Sequence, residues 1–318
     1  MSSHTHGELG RDRCGLVCRR MKNPPCRAGV SGCESVAFDG GRLPVSRGRP
    51  CWRAASIIAV ALGIGIAGVM PPMAAEEFGP VLTAAVAALI GAYPDQLSHR
   101  DGNDLVWRDG TRMPIDDGVA KNHADRLKAA DIEDMLAQVY PVGVCSYGAP
   151  KVDVEPGRIR NEAFFRAMYG DSAAEVSARL LTVDWFGTAV SVTSVNGVDR
   201  ALLAVRDELS ALPAPMQVII RTTAGTFNWR VVAGTDRLSV HSFGAAIDLN
   251  VAFADYWLWS SPTGRETDVP AYRNRIPHEV VEIFERHGFV WGGKWYHFDT
   301  MHFEYRPELL ALATTVPC

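Results

Sequence analysis

A basic excess is what this chain most plainly lacks. With 32 Lys and Arg against 36 Asp and Glu its formal net charge at pH 7 is −4, so the cationic footprint of a nucleic-acid binder has no compositional basis. Internal repeats and heptad runs are absent too, which sets aside solenoids and coiled coils. Cysteine is scarce where it would matter. Of the seven, Cys14, Cys18, Cys26, Cys33 and Cys51 all precede an apolar run that begins at Ala54 and ends at Met70, and their spacings make no pair of metal knuckles. Hydrophobic residues at 47% and charged residues at 21% are ordinary globular proportions and exclude disorder as the overall description.

The first part of the chain differs in kind from the rest. Residues 1–53 show no apolar periodicity and read as an unstructured or mis-assigned extension. Residues 54–75 read as a signal peptide or membrane anchor: Arg47, Arg49 and Arg53 flank the apolar run, and Pro71-Pro72-Met73-Ala74-Ala75 follows it before Glu76. Cleavage after Ala75 releases a mature chain to the periplasm or the exterior; if the run is retained, it is nearly long enough to span a bilayer. Cys145 and Cys318 alone survive cleavage, and the exported setting lets them pair.

Residues 76–213 are expected to be a helical accessory segment. Leu127, Ile132, Met135, Leu136 and Val139 share one face of a helix over 122–140, Phe164, Phe165 and Met168 mark another over 160–169, and Leu202, Val205, Leu209 and Leu212 a third over 199–212. Residues 214–318 are expected to form the catalytic core. Val218, Ile219 and Ile220 predict a β-branched strand over 217–221, 246–251 alternates as a strand, and 277–287 is a helix stopped by Gly288 at C′ ahead of a strand opening with Phe289-Val290-Trp291. Helices early and strands late give an α+β fold, with a small antiparallel sheet carrying the site, packed with helices. Tyr256-Trp257-Leu258-Trp259 reads as core packing, with a wall of a substrate groove as its alternative.

The candidate chemistry lies in two segments. Alternation along a strand sends Ile247, Leu249 and Val251 to one face and Asp248 to the other. His241 comes seven residues earlier, across Gly244, so an imidazole and a carboxylate can converge. A third donor is offered by Trp295-Tyr296-His297-Phe298-Asp299-Thr300-Met301-His302-Phe303-Glu304-Tyr305, where Met301 and Phe303 flank His302. Zinc suits such a set, since a catalytic site takes three protein ligands and leaves a fourth position for water. Asp299 can reach that water only from a turn leading into the strand, whereas Glu304 has the strand parity of His302 and is the alternative base. Ser239, His297 and Trp295 are the candidate substrate contacts. His287 suits a helix C-terminus, and His123 and His278 suit helix starts or surfaces.

Ser239-x-His241-x-x-Gly244-x-Ala246-x-Asp248 followed by Asp299-x-x-His302 resembles the paired signatures of the D-alanyl-D-alanine carboxypeptidase family of zinc peptidases, which includes VanX and VanY types and L-alanyl-D-glutamate endopeptidases. The resemblance implies one Zn2+ per chain held by His241, Asp248 and His302, with Asp299 as catalytic carboxylate where many relatives have Glu. It also implies a substrate-polarising role for Arg230, in Gly225-Thr226-Phe227-Asn228-Trp229-Arg230, with Arg221 as the other choice. The function it implies is hydrolysis of peptidoglycan stem peptides, as a D,D-carboxypeptidase or an L,D-endopeptidase. The alternative is a non-catalytic, zinc-containing cell-wall binding module on the same fold.

Overall fold

The structure, a computed structural model, describes residues 79–315. The expected extension, the signal or anchor at 54–75 and Cys318 lie outside the described residues. Cys145 is disulfide-bonded. Among the described residues no helix is long and apolar enough to cross a membrane.

The fold is α+β. Its first half runs α1 (Pro80–Ala92), β1 (Leu97–Asp101), β2 (Asp104–Trp107), β3 (Arg112–Pro114), α2 (His123–Ala129), α3 (Ile132–Leu136), β4 (Pro141–Val142), α4 (Glu162–Tyr169), α5 (Ala173–Ser177), β5 (Leu180–Trp185), β6 (Thr188–Thr193) and α6 (Val198–Leu209). Its second half runs α7 (Ala214–Ile220), β7 (Thr223–Gly225), β8 (Ala246–Leu249), α8 (Trp257–Ser260), α9 (His278–Arg286), β9 (Phe289–Trp291), β10 (His302–Tyr305), α10 (Pro307–Ala311) and β11 (Thr314–Thr315). One buried cluster runs from Ala85 in α1 to Leu309 in α10.

Four strands in the order β7-β8-β10-β9, all antiparallel, carry the candidate site. Their alternation is the one the sequence predicts. Ile247 and Phe303 are register partners turned to the core, where the Phe303 ring stacks on Phe284 of α9 at 3.9 Å. Helix α9 lays Val280, Val281, Ile283 and Phe284 into that core, the amphipathic face expected of a helix covering a sheet. Gly288 then ends it at φ +88, and a Cβ there would stand 2.7 Å from the Tyr305 ring.

Two expectations differ from what is found. The segment from 217 to 221 is helical, not a strand, because Pro213 and Pro215 open α7 and the Gln217 amide donates to the carbonyls of Leu209 and Leu212 at the end of α6. Helical period leaves Val218 exposed and buries Ile219 and Ile220. The stretch before it is also less helical than expected. Asp131 breaks the 122–140 helix because its side chain caps α3 in a box with Asp134, a competition typical of Asp in a helix. A three-stranded sheet (β1-β2-β3) and the hairpin β5-β6 lie in the same stretch. The hairpin turns on Phe186 and Gly187, both at positive φ, the two-residue geometry whose twist matches the strands it joins.

Gly288→Ala should therefore be costly, since left-handed backbone and a ring contact coincide at that residue. The expected loss is roughly 1–3 kcal/mol, read as a lower urea midpoint at unchanged slope; an unchanged midpoint would count against this account of the α9 stop.

Candidate metal centre

Pairing of β8 with β10 sets His302 directly opposite Asp248. Opposed residues of an antiparallel pair share a face, so both point away from Ile247 and Phe303 and into a cleft. His241 reaches the same point from a 3-10 turn, Val240–Phe243, that Ser239 caps and Gly244 closes at φ +65. A Cβ on Gly244 would meet Leu180 at 2.6 Å and the Thr193 amide at 3.0 Å, so the turn packs against the β5-β6 hairpin only with glycine there. The Ser242 hydroxyl donates to the Arg230 carbonyl and accepts from its amide, both at 2.9 Å. That pins the segment bearing Arg230 to the turn bearing His241.

The three donors converge closely. His241 Nε2 stands 3.1 Å from both His302 Nδ1 and Asp248 Oδ1, and the last two are 3.0 Å apart. Both imidazoles are oriented from behind. His241 Nδ1 lies 2.5 Å from the Thr226 carbonyl and His302 Nε2 lies 3.2 Å from Glu304; those partners only accept, so each ring donates its N–H backward and turns a lone pair forward. Two lone pairs and a carboxylate oxygen facing one another call for positive charge between them. For a tetrahedral ion with bonds of roughly 2.0–2.2 Å the ligands stand roughly 3.3–3.6 Å apart, close to what is found.

Charge shifts agree with that demand. Burial disfavours the Asp248 carboxylate, but His241 and His302 outweigh it and hold its pKa well below the usual range. Burial likewise opposes charge on His302, yet hydrogen bonds to Asp248 and Glu304 push its pKa up to about 10. A site that draws a proton this strongly offers the same attraction to a divalent cation.

Two further groups of donor-type residues occur among the described residues: His123, Glu155 and His297, and Asp116, Asp117 and Asp131. Each already holds a cationic side chain. Arg158 Nη1 is 2.8 Å from Glu155 and 3.3 Å from His297 Nδ1, and Lys121 Nζ is 2.8 Å from Asp117 and 2.9 Å from Asp131. The His241 group has no such occupant, and its donor set fits a metal best.

Asp299 lines the same cleft. It precedes the Thr300-Met301 turn into β10, its amide bonded to the Gly292 carbonyl at 3.0 Å, so it occupies the turn position its spacing from His302 requires. The residue is partly exposed, but its Oδ1 is buried with no hydrogen-bond partner. Burial and then the Asp248 charge push its pKa up to about 7. Glu304 stands behind the His302 ring, its other oxygen 3.1 Å from Arg306. Burial opposes its charge, and His302, Arg160 and Arg306 overcome that to keep its pKa low.

The remaining candidates are distributed around a cleft of about 310 Å³. Arg230 is exposed at its rim, whereas the Arg221 guanidinium lies over the Phe186 ring, 5.3 Å from its centre. Ser239 and Trp295 line it, and the Trp295 indole donates to the Pro156 carbonyl at 2.7 Å. His297 is tied on both nitrogens, by Nδ1 to Glu155 and by Nε2 to Glu266 at 2.9 Å. Burial works against its charge, but those two carboxylates raise its pKa to about 9. Tyr256, Trp257 and Trp259 belong to the cleft wall rather than to the interior alone, with Trp257 buried and Trp259 56% exposed. The sequence reading missed Glu155, Arg158, Arg160, Arg237 and Glu266. Most come from loops without period, where only the Arg158-Ile-Arg160 alternation offered a signal.

A buried group of two histidines and one carboxylate, with a further carboxylate lining the same cleft, is a donor set able to hold a divalent metal ion. Residues 233–305 match the model of the D-alanyl-D-alanine carboxypeptidase family, the family the motifs resemble. No match was found among curated proteins or among solved structures. The matched stretch holds the three donors and Asp299; Thr226, Arg230 and the 155–160 segment fall before it.

Metal content separates the roles. Wild-type protein should hold one divalent ion per chain, His302→Ala should lose it, and Asp299→Ala should keep it. Glu304→Gln, which weakens the support of His302, should lower affinity by roughly 10–100-fold. Loss of metal in Asp299→Ala as complete as in His302→Ala would make Asp299 a ligand.

Proposed function

We propose that this chain is an exported zinc peptidase that hydrolyses peptidoglycan stem peptides, as a D,D-carboxypeptidase or an L,D-endopeptidase. The observation that carries the reading is the convergence of His241, Asp248 and His302, with the unpartnered Asp299 oxygen in the same cleft. His241, Asp248 and His302 would hold the zinc, which when bound would lower the pKa of a water towards about 7 and polarise the scissile carbonyl.

The protein's own groups do the rest. Asp299, whose Oδ1 has no hydrogen-bond partner in the cleft, accepts the proton of the attacking water and delivers it to the leaving amine. Arg230 at the rim supplies a guanidinium to the oxyanion that develops on the carbonyl. Trp295 and Ser239 wall the peptide beside the centre. The binding-module reading has the same metal centre but gives Asp299 no task, and its unpartnered buried oxygen favours catalysis.

Purified protein should release amino acid or peptide from muropeptides, lose that activity to a chelator and regain it with zinc. Asp299→Ala should cut kcat by about a hundredfold or more at full metal occupancy, while Arg230→Ala should lower kcat/KM. Full metal occupancy with no turnover on any stem peptide would leave the binding module standing. If Asp299→Ala keeps its turnover while Glu304→Ala retains metal and falls silent, Glu304 is the base.

A further inference from the structure

Three buried arginines line the cleft wall, and two of them make no ion pair among the described residues. Arg158, Arg160 and Arg237 line it and are only 7%, 9% and 8% exposed. Arg158 is paired, to Glu155 at 2.8 Å and Glu266 at 2.7 Å. Arg160 and Arg237 form no ion pair among the described residues. Arg160 Nη2 donates to the Leu238 carbonyl at 2.9 Å, and Arg237 Nη1 to the Arg158 carbonyl at 3.3 Å. A buried charge is normally paired, since leaving it unpaired forfeits its hydration for nothing.

The neighbouring carboxylates are already committed. Glu162 binds Arg166 at 2.8 Å and the Leu238 amide at 2.8 Å. Glu304, whose charge also acts on Arg160 without an ion pair, is hydrogen-bonded to His302 and Arg306, and Glu266 is shared between Arg158 and His297. Burial, and then the like charges of Arg160 and Arg158, lower the Arg237 pKa to about 9. The two unpaired guanidiniums are nonetheless held firmly, because each bonds to a carbonyl on the segment that carries the other.

We propose that Arg160 and Arg237 form a carboxylate-binding subsite beside the metal centre, so that the accepted peptide carries a free carboxylate near the bond that is cut. This rests on the peptidase reading of the cleft. A guanidinium presents paired donors matched to a carboxylate, and a substrate carboxylate supplies the ionic partner that Arg160 and Arg237 lack. That carboxylate has two sources: the C-terminus of the peptide, or a side-chain carboxylate on an internal residue.

The full, zinc-loaded chain is assayed on three stem peptides: one with both carboxylates free, one with the C-terminus amidated and one with the internal carboxylate amidated. Amidating the carboxylate that is read should lower kcat/KM about tenfold or more, through KM, and the peptide affected identifies the source. Arg237→Gln should raise KM for the free acid about tenfold with kcat changed little, bring the acid-to-amide ratio near one, and be partly rescued in Arg237→Lys. Hydrolysis by the wild type with equal kcat/KM for all three overturns the subsite and leaves the peptidase reading intact, and this holds even if the variants do not fold. A ratio unchanged in folded Arg237→Gln and Arg160→Gln also overturns it. If nothing is hydrolysed, calorimetric binding of the same peptides decides: a preference for the acid that Arg237→Gln abolishes supports the subsite while sinking the peptidase reading, and no preference overturns the subsite as well.

Discussion

The register of β8 against β10 is the constraint on which the centre depends. Asp248 and His302 are 54 residues apart in the chain, and the ladder that makes Ile247 and Phe303 partners in the core makes them partners in the cleft. A one-residue slip of β10 would turn His302 into the interior and Phe303 into the cleft, leaving Asp248 on the cleft face without its partner. The aromatic stack of Phe303 on Phe284 thus holds Asp248 and His302 opposite one another as well as packing the core. His241 needs a separate device, the Gly244 turn against the β5-β6 hairpin, because no ladder reaches it.

Much of this was legible because strand alternation is a local rule. The face assignment of Asp248, the parity of Glu304 with His302, the turn position of Asp299 and the α9 stop at Gly288 all follow from spacing of a few residues. Where the sequence misled, a side chain outweighed the periodic signal. Asp131 caps α3 instead of continuing a helix, and Gln217 satisfies the carbonyls at the end of α6, so a β-branched run folds as α7. The β5-β6 hairpin was readable in principle from Gly187 and the alternating Val190 and Val192, signals easily passed over beside strong helical periods.

The cleft wall was less legible, for a different reason. Glu155, Arg158, Arg160, Arg237 and Glu266 reach it mainly from loops whose order comes from pairing with one another, and no local period announces such pairing. The aromatic cluster illustrates the ambiguity: Trp257 is buried as a core residue would be, yet its ring edge meets His297 at 4.7 Å and its neighbour Trp259 is open to solvent. Composition favoured the interior, and the segment serves both purposes.

A final feature ties the first helix to the candidate metal centre. Tyr93 at the end of α1 donates to Glu308 at 2.6 Å, Glu308 accepts from Arg306 at 2.5 Å, Arg306 donates to Glu304 at 3.1 Å, and Glu304 holds His302 at 3.2 Å. Glu304, Arg306 and Glu308 are all fully buried. Buried ionic chains seldom stabilise a fold more than well-packed apolar residues of the same volume would, so stability is a poor reason for this one to exist. Its terminus is a better reason. An imidazole that must present Nδ1 forward needs a firm acceptor on Nε2, and a carboxylate anchored by its own buried arginine supplies one that neither rotates nor takes up a proton readily. On this view α1, which precedes the matched stretch, supports the candidate centre without supplying a donor, by fixing the far end of the chain of charges that orients His302.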